Sequence, residues 1–217
     1  MSELQDLIAG FKGIPTATIA NALDDVGKVV NSSPFIRAVV PGMTLCGPAL
    51  TVDVETGEAG TFSSSDFKVG ALIDAASPGD VIVVSAKAAR ASIWGGMASL
   101  AASIKGVAGL VVDGSVRDVE EMSGCEFNVF SRHVIPTTGR SRLRVKSIGE
   151  SVMIDGIEVA CGDIIVGDST GIVVVPKNQA SRVLQNALTY QMQDREAEQE
   201  IRTGSSFTEV MSKFKRI

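Results

Sequence analysis

Hydrophobic positions along this chain change their rhythm twice. Near the start they recur at helical spacing. In the stretch IPTATIANALDDVG, Ile19, Ala22 and Leu23 share one face, with Thr16 or Thr18 as the N-cap and Gly27 as a stop. After a turn-rich loop, NSSPFIRAVVPGMTLCG, the pattern becomes apolar runs of strand length: Pro48 to Val54, Val81 to Ala86, VAGLVVDG and FNVFSRHV. Between them SSDFKVGALIDAASPGD, GGMASLAASIKG and VRDVEEMSG read as helices. The last three strands are apolar on both faces. Alternation of such strands with helices predicts a parallel sheet covered on both sides.

Beyond Pro136 the texture changes again. LRVKSIG and SVMIDGIEVACGDIIVGDSTGIVVVP are short β segments divided by Gly-Asp turns, at Gly162-Asp163 and Gly167-Asp168, which predicts hairpins or a small β layer. A long helix is expected from Pro176 in a first-turn position to a stop at Gly204. Its second half is polar almost all round, so it needs a neighbour, for which another subunit is the natural candidate. The expected organisation is one α/β domain over residues 1–217. N-terminal helices occupy about 1–30, and a C-terminal helical arm for subunit packing occupies about 176–217.

The chain has 217 residues, of which 45% are hydrophobic and 21% charged, enough apolar mass for one sizeable core. The net charge of -5 and the lack of a basic stripe exclude nucleic acid as a direct partner. No run is long and apolar enough to span a bilayer, and MSELQDLIAGFKGI lacks signal-peptide order. Cys46, Cys125 and Cys161 are too scattered for a metal or redox motif and read as buried thiols of a reducing compartment. A cytoplasmic protein with no membrane partner is expected.

Most catalytic constellations are missing. No GxGxxG, GxxxxGK[ST] or GxSxG occurs, and His133 is the single histidine, read as a core or interface imidazole. Carboxylates, arginines and backbone amides remain, an inventory suited to a hard divalent cation and an anionic substrate. Two strand-to-helix junctions concentrate them. At ARASIWGGMASL, Gly95, Gly96 and Met97 enter a helix whose free N–H groups attract a carboxylate. At GLVVDGSVRDVEEM, Arg117 can fork onto a carboxylate, and Asp118 can hold Mg2+ or Mn2+. Alone, an Arg-Asp pair at a helix start is as well explained by Asp118 complementing the helix dipole. Two such junctions in one βαβ unit shift the balance toward a site. Asp80 reads as a turn closer, Asp113 as paired with local backbone, Lys105 as solvated, and Trp94 as either a pocket wall or an interface residue.

CGPALTVDV, SPGDVIVV, WGGMASLAASIKGVAGLVVDGSVRDVEEM, GIEVACGDIIVGDSTGIVVVP and IRTG together resemble the RraA-like family over nearly the whole chain. That family includes class II 4-hydroxy-4-methyl-2-oxoglutarate/4-carboxy-4-hydroxy-2-oxoadipate aldolases and regulators of ribonuclease E activity. The resemblance implies a swivelling phosphohistidine-domain-like β/β/α sandwich with a central mostly parallel sheet and a long C-terminal helix. It implies a homotrimer or dimer of trimers, a site between subunits, and a divalent cation, Mg2+ or Mn2+. It would make Arg117 the clamp on a pyruvyl carboxylate and enolate, Asp118 the metal anchor, and the amides around Gly96 and Met97 a carboxylate site. An acidic residue of a neighbouring subunit would approach the metal, with Asp194 the candidate ahead of Glu196 and Glu198. The family's aldolase signature is Asp, twenty residues, then Arg-Asp; this chain has Gly96 where that first Asp falls.

The resulting expectation is a metal-dependent lyase acting on a small anionic 2-oxo acid. It would cleave a 4-hydroxy-2-oxo acid or decarboxylate oxaloacetate, giving pyruvate through a stabilised enolate. Decarboxylation removes no hydroxyl proton, so it should survive the loss of an acid at position 96 better than aldol cleavage. The alternative is a non-catalytic regulator that binds a ribonuclease.

Overall fold

A computed structural model describes residues 3–27 and 31–214; positions 1, 2, 28–30 and 215–217, at the edges of the two expected terminal regions, lie outside them. Helices α1 (Glu3–Phe11) and α2 (Thr16–Asp24) open the chain. They are followed by β1 (Arg37–Ala38), β2 (Leu45–Thr56), α3 (Val69–Ala75), β3 (Val81–Ser85), β4 (Ser92–Trp94) and α4 (Gly96–Lys105). Next come β5 (Gly109–Val116), α5 (Val119–Gly124), β6 (Val129–Val134), β7 (Leu143–Ile148), β8 (Val152–Ile154) and β9 (Ile157–Val159). The chain continues with β10 (Ile164–Asp168), β11 (Gly171–Val175), α6 (Ala180–Arg202) and α7 (Phe207–Lys213).

The apolar runs do what their composition demands. Strands β2, β3, β5 and β6 pair in parallel, and every residue of β3 and β5 is buried. Each buried Val, Leu or Ile contributes about 1.5–3 kcal/mol of transfer free energy. Antiparallel strands extend this centre: β1 on β6, β7 and β10 on β2, and β11 on β10. Most of the late β segments therefore join the main sheet instead of forming a separate layer, and only β8 and β9 pair by themselves. The segment after residue 30 then nearly closes the sheet into a barrel. The Val174 N–H donates to the Asn31 carbonyl, while Arg37 pairs with Ser131 at the opposite edge.

One apolar cluster lies around the parallel strands, with Leu72 of α3, Ala102 of α4 and Met122 of α5 in it. A second joins α1, α2 and α6 to β10 and β11. Helix α2 is not capped by Thr16 or Thr18, because Pro15 occupies the N-cap. Its orphan amides are met from across the chain: Asp168 accepts the Thr16 N–H at 2.8 Å and the Thr16 hydroxyl at 2.8 Å. Helix α6 starts at Ala180, after a turn closed by the Gln179 N–H on the Pro176 carbonyl, so Pro176 precedes its first turn. Gly204 has the expected left-handed φ of 103°. The polar second half of α6 finds a neighbour in its own chain: α7 turns back on it, burying Val210 and pairing Lys213 with Glu200.

Strand β5 carries an irregularity that matters. Val112 is opposite Ser131, but Ser115 is opposite His133, so Asp113 and Gly114 together face Arg132. This is a bulge, rare in parallel pairs. Arg132 secures it: Nε donates to Asp113 at 2.6 Å and Nη2 to Asp155 at 2.6 Å. Asp113 also accepts the Asp155 N–H, and Asp155 accepts the Ser33 hydroxyl. Asp113 is thus not satisfied by local backbone, as expected from sequence, but by a charged residue on the next strand. Three further expectations change. His133 is exposed, which removes the core half of its reading and leaves the interface half. Lys105 is not solvated: its Nζ donates to the carbonyls of Ile73 and Asp74 and closes α3. The three thiols are free and half-buried, and burial, partly offset by Lys12, pushes Cys46 up to about 11.

Two predictions follow from these ion pairs. Arg132→Ala should lower unfolding free energy by about 3 kcal/mol in urea titrations, since it strands two mostly buried carboxylates; a loss under about 1 kcal/mol would rule out a structural role for the network. Burial raises the pKa of Asp155 and of Asp168, but hydrogen bonds from Ser33 and Arg132, and from Thr16 and Thr170, outweigh it and hold both below the ordinary 3.8. Their stabilisation is complete above the unfolded value and is lost as pH falls through the folded ones. Stability should therefore drop below about pH 4, and Asp168→Asn should flatten that drop while lowering stability at neutral pH.

Candidate active site

Strand β5 leaves the sheet at Val116, beside Trp94 of β4. The next amide, Arg117 N–H, donates to the Trp94 carbonyl at 3.1 Å and locks the two junctions together. Trp94 is 2% exposed and stacks on Phe127 with centroids 6.0 Å apart. Its Nε1 donates to Ser99 Oγ at 2.9 Å, and that hydroxyl donates to the Gly95 carbonyl at 3.1 Å. Trp94 is therefore a rigid floor under the Gly95–Gly96 turn.

Asp118 occupies the N-cap position of α5 in a left-handed conformation, φ 61° and ψ 49°, which aspartate adopts more readily than most residues with a Cβ. An aspartate there ordinarily caps its own helix, but this one does not. Its Oδ2 accepts the Gly96 N–H, the first amide of α4, at 3.2 Å and lies 3.4 Å from Arg117 Nε. The side chains of Arg117 and Asp118 are 43% and 37% exposed, open to a ligand and not sealed in internal bridges. Glycine leaves room beside them: a methyl group on Gly95 would overlap Asp118 Oδ2 and come 3.3 Å from Arg117 Nε.

Gly95, Gly96, Met97, Arg117 and Asp118 line one cleft of about 200 Å³ at the C-terminal end of β5, where open α/β sheets bind ligands. Trp94 lines it as well, which decides its role in favour of a pocket wall. A residue that the sequence reading passed over, Glu121, packs against the same turn from outside the cleft lining. The Glu121 side chain lies over Gly96, and a Cβ at position 96 would overlap Glu121 Oε2 and sit 2.5 Å from its Cβ. The space that a side chain at position 96 would fill is thus taken by an acid from α5. The only sequence signal was the Arg-Asp-x-x-Glu spacing, which in a short helix start resembles ordinary dipole decoration.

The Aldolase/RraA family model matches residues 16–174. The chain belongs to the RraA-like family. A Halalkalibacterium halodurans protein, provisionally named a 4-hydroxy-4-methyl-2-oxoglutarate aldolase, is 34% identical over 90% of this chain and 89% of its own. An uncharacterized Methanocaldococcus jannaschii protein is 32% identical over 90% of each chain. Among solved RraA-like structures, Streptomyces coelicolor RraAS2, described as an unusual member of the RNase ES inhibitor RraA family, superposes with a TM-score of 0.82. It is 24% identical, over 90% of this chain and 98% of that one, and so speaks for the fold alone. The RraA-like fold is accordingly a mixed α/β structure with a central mostly parallel, nearly barrel-like sheet and a long C-terminal helix.

Within this RraA-like chain Asp194 lies exposed on α6, outside the cleft lining of its own protomer. Glu198 is engaged by Arg202 at 2.6 Å. No group of three metal-ligating side chains occurs among the described residues. One carboxylate of the cleft, Asp118, nevertheless fits Mg2+, which is usually held by one or two carboxylates with water and substrate oxygens. A larger cleft of about 640 Å³ lies at the other end of the sheet, between Lys12–Pro15 and Leu45–Cys46. Burial pushes its thiol up and its acid, Asp168, is consumed by Thr16 and Thr170, so the smaller cleft is the better candidate.

Gly95→Ala tests the geometry. The clash is with the end of a flexible side chain, so the thermal midpoint should stay within about 3 °C of the parent. Asp118 would be displaced, and Mn2+ affinity by calorimetry should fall on the order of tenfold. Unchanged affinity would separate Asp118 from cation binding.

Proposed function

We propose that this chain is a divalent-cation-dependent lyase that releases pyruvate from a 2-oxo acid, by cleaving a 4-hydroxy-2-oxo acid or by decarboxylating oxaloacetate. The observation that carries the reading is the convergence of Arg117 and Asp118 on one glycine-lined cleft, with the Glu121 side chain packed over one of its glycines, Gly96. The provisional aldolase names of several relatives agree with it. Arg117 binds the 2-oxo acid carboxylate and places positive charge beside the oxygen that becomes an enolate. Asp118 would hold Mg2+ or Mn2+, which when bound supplies Lewis acidity at the 2-oxo group. Glu121 supplies the acid missing at position 96 and takes the proton of a substrate hydroxyl. Its presence narrows the advantage that decarboxylation was expected to hold over aldol cleavage.

The same reading accounts for an apolar stripe that continues the cleft rim along α4: Met97, Leu100 and Ile104 are 76%, 44% and 79% exposed. Another copy of the chain covers it, in a trimer or dimer of trimers with the cleft at the subunit boundary. Three free cysteines suit a cytoplasmic setting. A ribonuclease-binding regulator remains the rival within the family, but it has no use for an aspartate turned from its own helix into a cleft.

Pyruvate release should require added Mg2+ or Mn2+. Arg117→Ala and Asp118→Ala should each reduce it about 100-fold or more, with assembly size unchanged by light scattering. Glu121→Gln should reduce aldol cleavage about 100-fold and decarboxylation less than about tenfold, because only the former removes a hydroxyl proton. Full activity in the Arg117 and Asp118 variants would return the protein to the regulator reading.

A further inference from the structure

We infer that Ser99 is a positioning residue of this site: with Trp94 it fixes the Gly95–Gly96 peptide, and through that peptide the Asp118 carboxylate. This rests on the lyase reading above and adds a buried residue to the same site. A directed chain of hydrogen bonds runs through the turn. Trp94 Nε1 donates to Ser99 Oγ at 2.9 Å, and Ser99 Oγ donates to the Gly95 carbonyl at 3.1 Å. The amide of that same peptide, Gly96 N–H, donates to Asp118 Oδ2 at 3.2 Å. The direction is forced, because an indole N–H only donates, a carbonyl only accepts, and a serine hydroxyl has one proton to give.

Ser99 is 0% exposed and Trp94 2%, so water does not compete for the hydroxyl or the indole. The Ser99 N–H also donates to the Gly95 carbonyl, at 3.0 Å. That bond is the ordinary first turn of α4, which any residue at position 99 would make; the hydroxyl is the part that needs serine. Glycine on both sides of the peptide leaves no Cβ to resist its rotation. A rotated peptide would withdraw the Gly96 amide and turn a carbonyl toward the Asp118 carboxylate. Hydrogen bonds in series also polarise one another, so the donor on the Gly95 oxygen strengthens the Gly96 N–H as a donor.

Trp94 secures the other member of the pair as well. Its carbonyl accepts the Arg117 N–H at 3.1 Å and the Ser92 hydroxyl at 2.8 Å. Its backbone thus sets the Arg117 backbone, while its indole, through Ser99, sets the Asp118 side chain. Among the described residues both fixed contacts of that carboxylate fall on Oδ2, which leaves Oδ1 for a cation. The contact with Arg117 is a loose hold, since that guanidinium is itself exposed. The Gly96 amide is the firmer anchor, and affinity for a cation falls when the partner that orients its ligand is lost.

The test begins with the metal-free protein. Alanine is the better helix former, so Ser99→Ala keeps α4. In that variant the Gly96 amide should exchange with solvent about tenfold faster, while the amides of β3 and β5 keep their protection. Mn2+ affinity by calorimetry, with no substrate present, should fall at least about threefold. Trp94→Phe separates the chain from packing. It removes more buried surface than the lost hydroxyl does, yet leaves Ser99 able to hold the Gly95 carbonyl, so both effects should be smaller than in Ser99→Ala. Emission from Trp94, the one tryptophan of the chain, checks that the ring stays buried in Ser99→Ala. Should the alanine variant not fold, Ser99→Cys, which keeps only a weak donor, takes its place. Larger effects in Trp94→Phe than in the Ser99 variant, or parent values of both measurements in the Ser99 variant, overturn this inference and leave the lyase reading intact. A parent protein that binds no Mn2+ overturns the lyase reading, and the Gly96 exchange still decides the chain.

Discussion

Arg132 held between Asp113 and Asp155 is the interaction on which the rest of the structure depends. A parallel strand has no use for an extra residue, yet β5 accommodates one at Asp113–Gly114. The guanidinium opposite it turns that irregularity into a fixed joint. The Asp113 carbonyl accepts the N–H groups of Ala86 and Ala88, so the turn after β3 is tied to the same point. Asp155 brings in the β8–β9 turn, and through Ser33 the segment that nearly closes the sheet. Each of these elements would otherwise present a loose end near the rim where the cleft opens.

The bulge matters because side chains alternate along a strand. One inserted residue reverses which face each later side chain takes. Ser115, Val116 and then Arg117 and Asp118 all follow the insertion, so the aim of the candidate site is set by it. Gly114 is part of the same constraint, since a Cβ there would meet the Cβ of Ala86 at 2.7 Å. Precision at Arg117 therefore comes from the strand interior, and the loop only displays it.

Local features were legible in the sequence and distant pairings were not. The unbroken apolar runs from Val81 and Gly109 admit little besides buried parallel strands, and Gly106 and Gly204 stop their helices as glycine should. The Arg117–Asp118 junction and the Gly95–Gly96 turn could be matched because both sit at strand ends in adjacent βα units. By contrast, Asp168 caps α2 from 152 residues away, and no local pattern announces such a contact. Arg132 is 19 residues from Asp113, and its partnership depends on a register that only the bulge creates. Glu121 was missed for a related reason: Gly96 was read as the loss of an acid, while the acid that fills its space comes from a different helix.

The energetic character of the Arg117–Asp118 pair argues against a purely structural role. At 43% and 37% side-chain exposure it is a surface pair, worth well under about 1 kcal/mol to folding. Asp118 meanwhile holds a left-handed backbone, which aspartate tolerates better than most residues with a Cβ, and it forgoes capping α5. A capping aspartate in ordinary geometry would stabilise the helix. An aspartate that forgoes its own helix cap, accommodated by Gly95, Gly96 and the Trp94 floor, is intelligible if its return lies outside folding. The direction of the carboxylate supplies that return: it is turned from its own helix onto the first amide of α4, and so into the cleft beside a guanidinium.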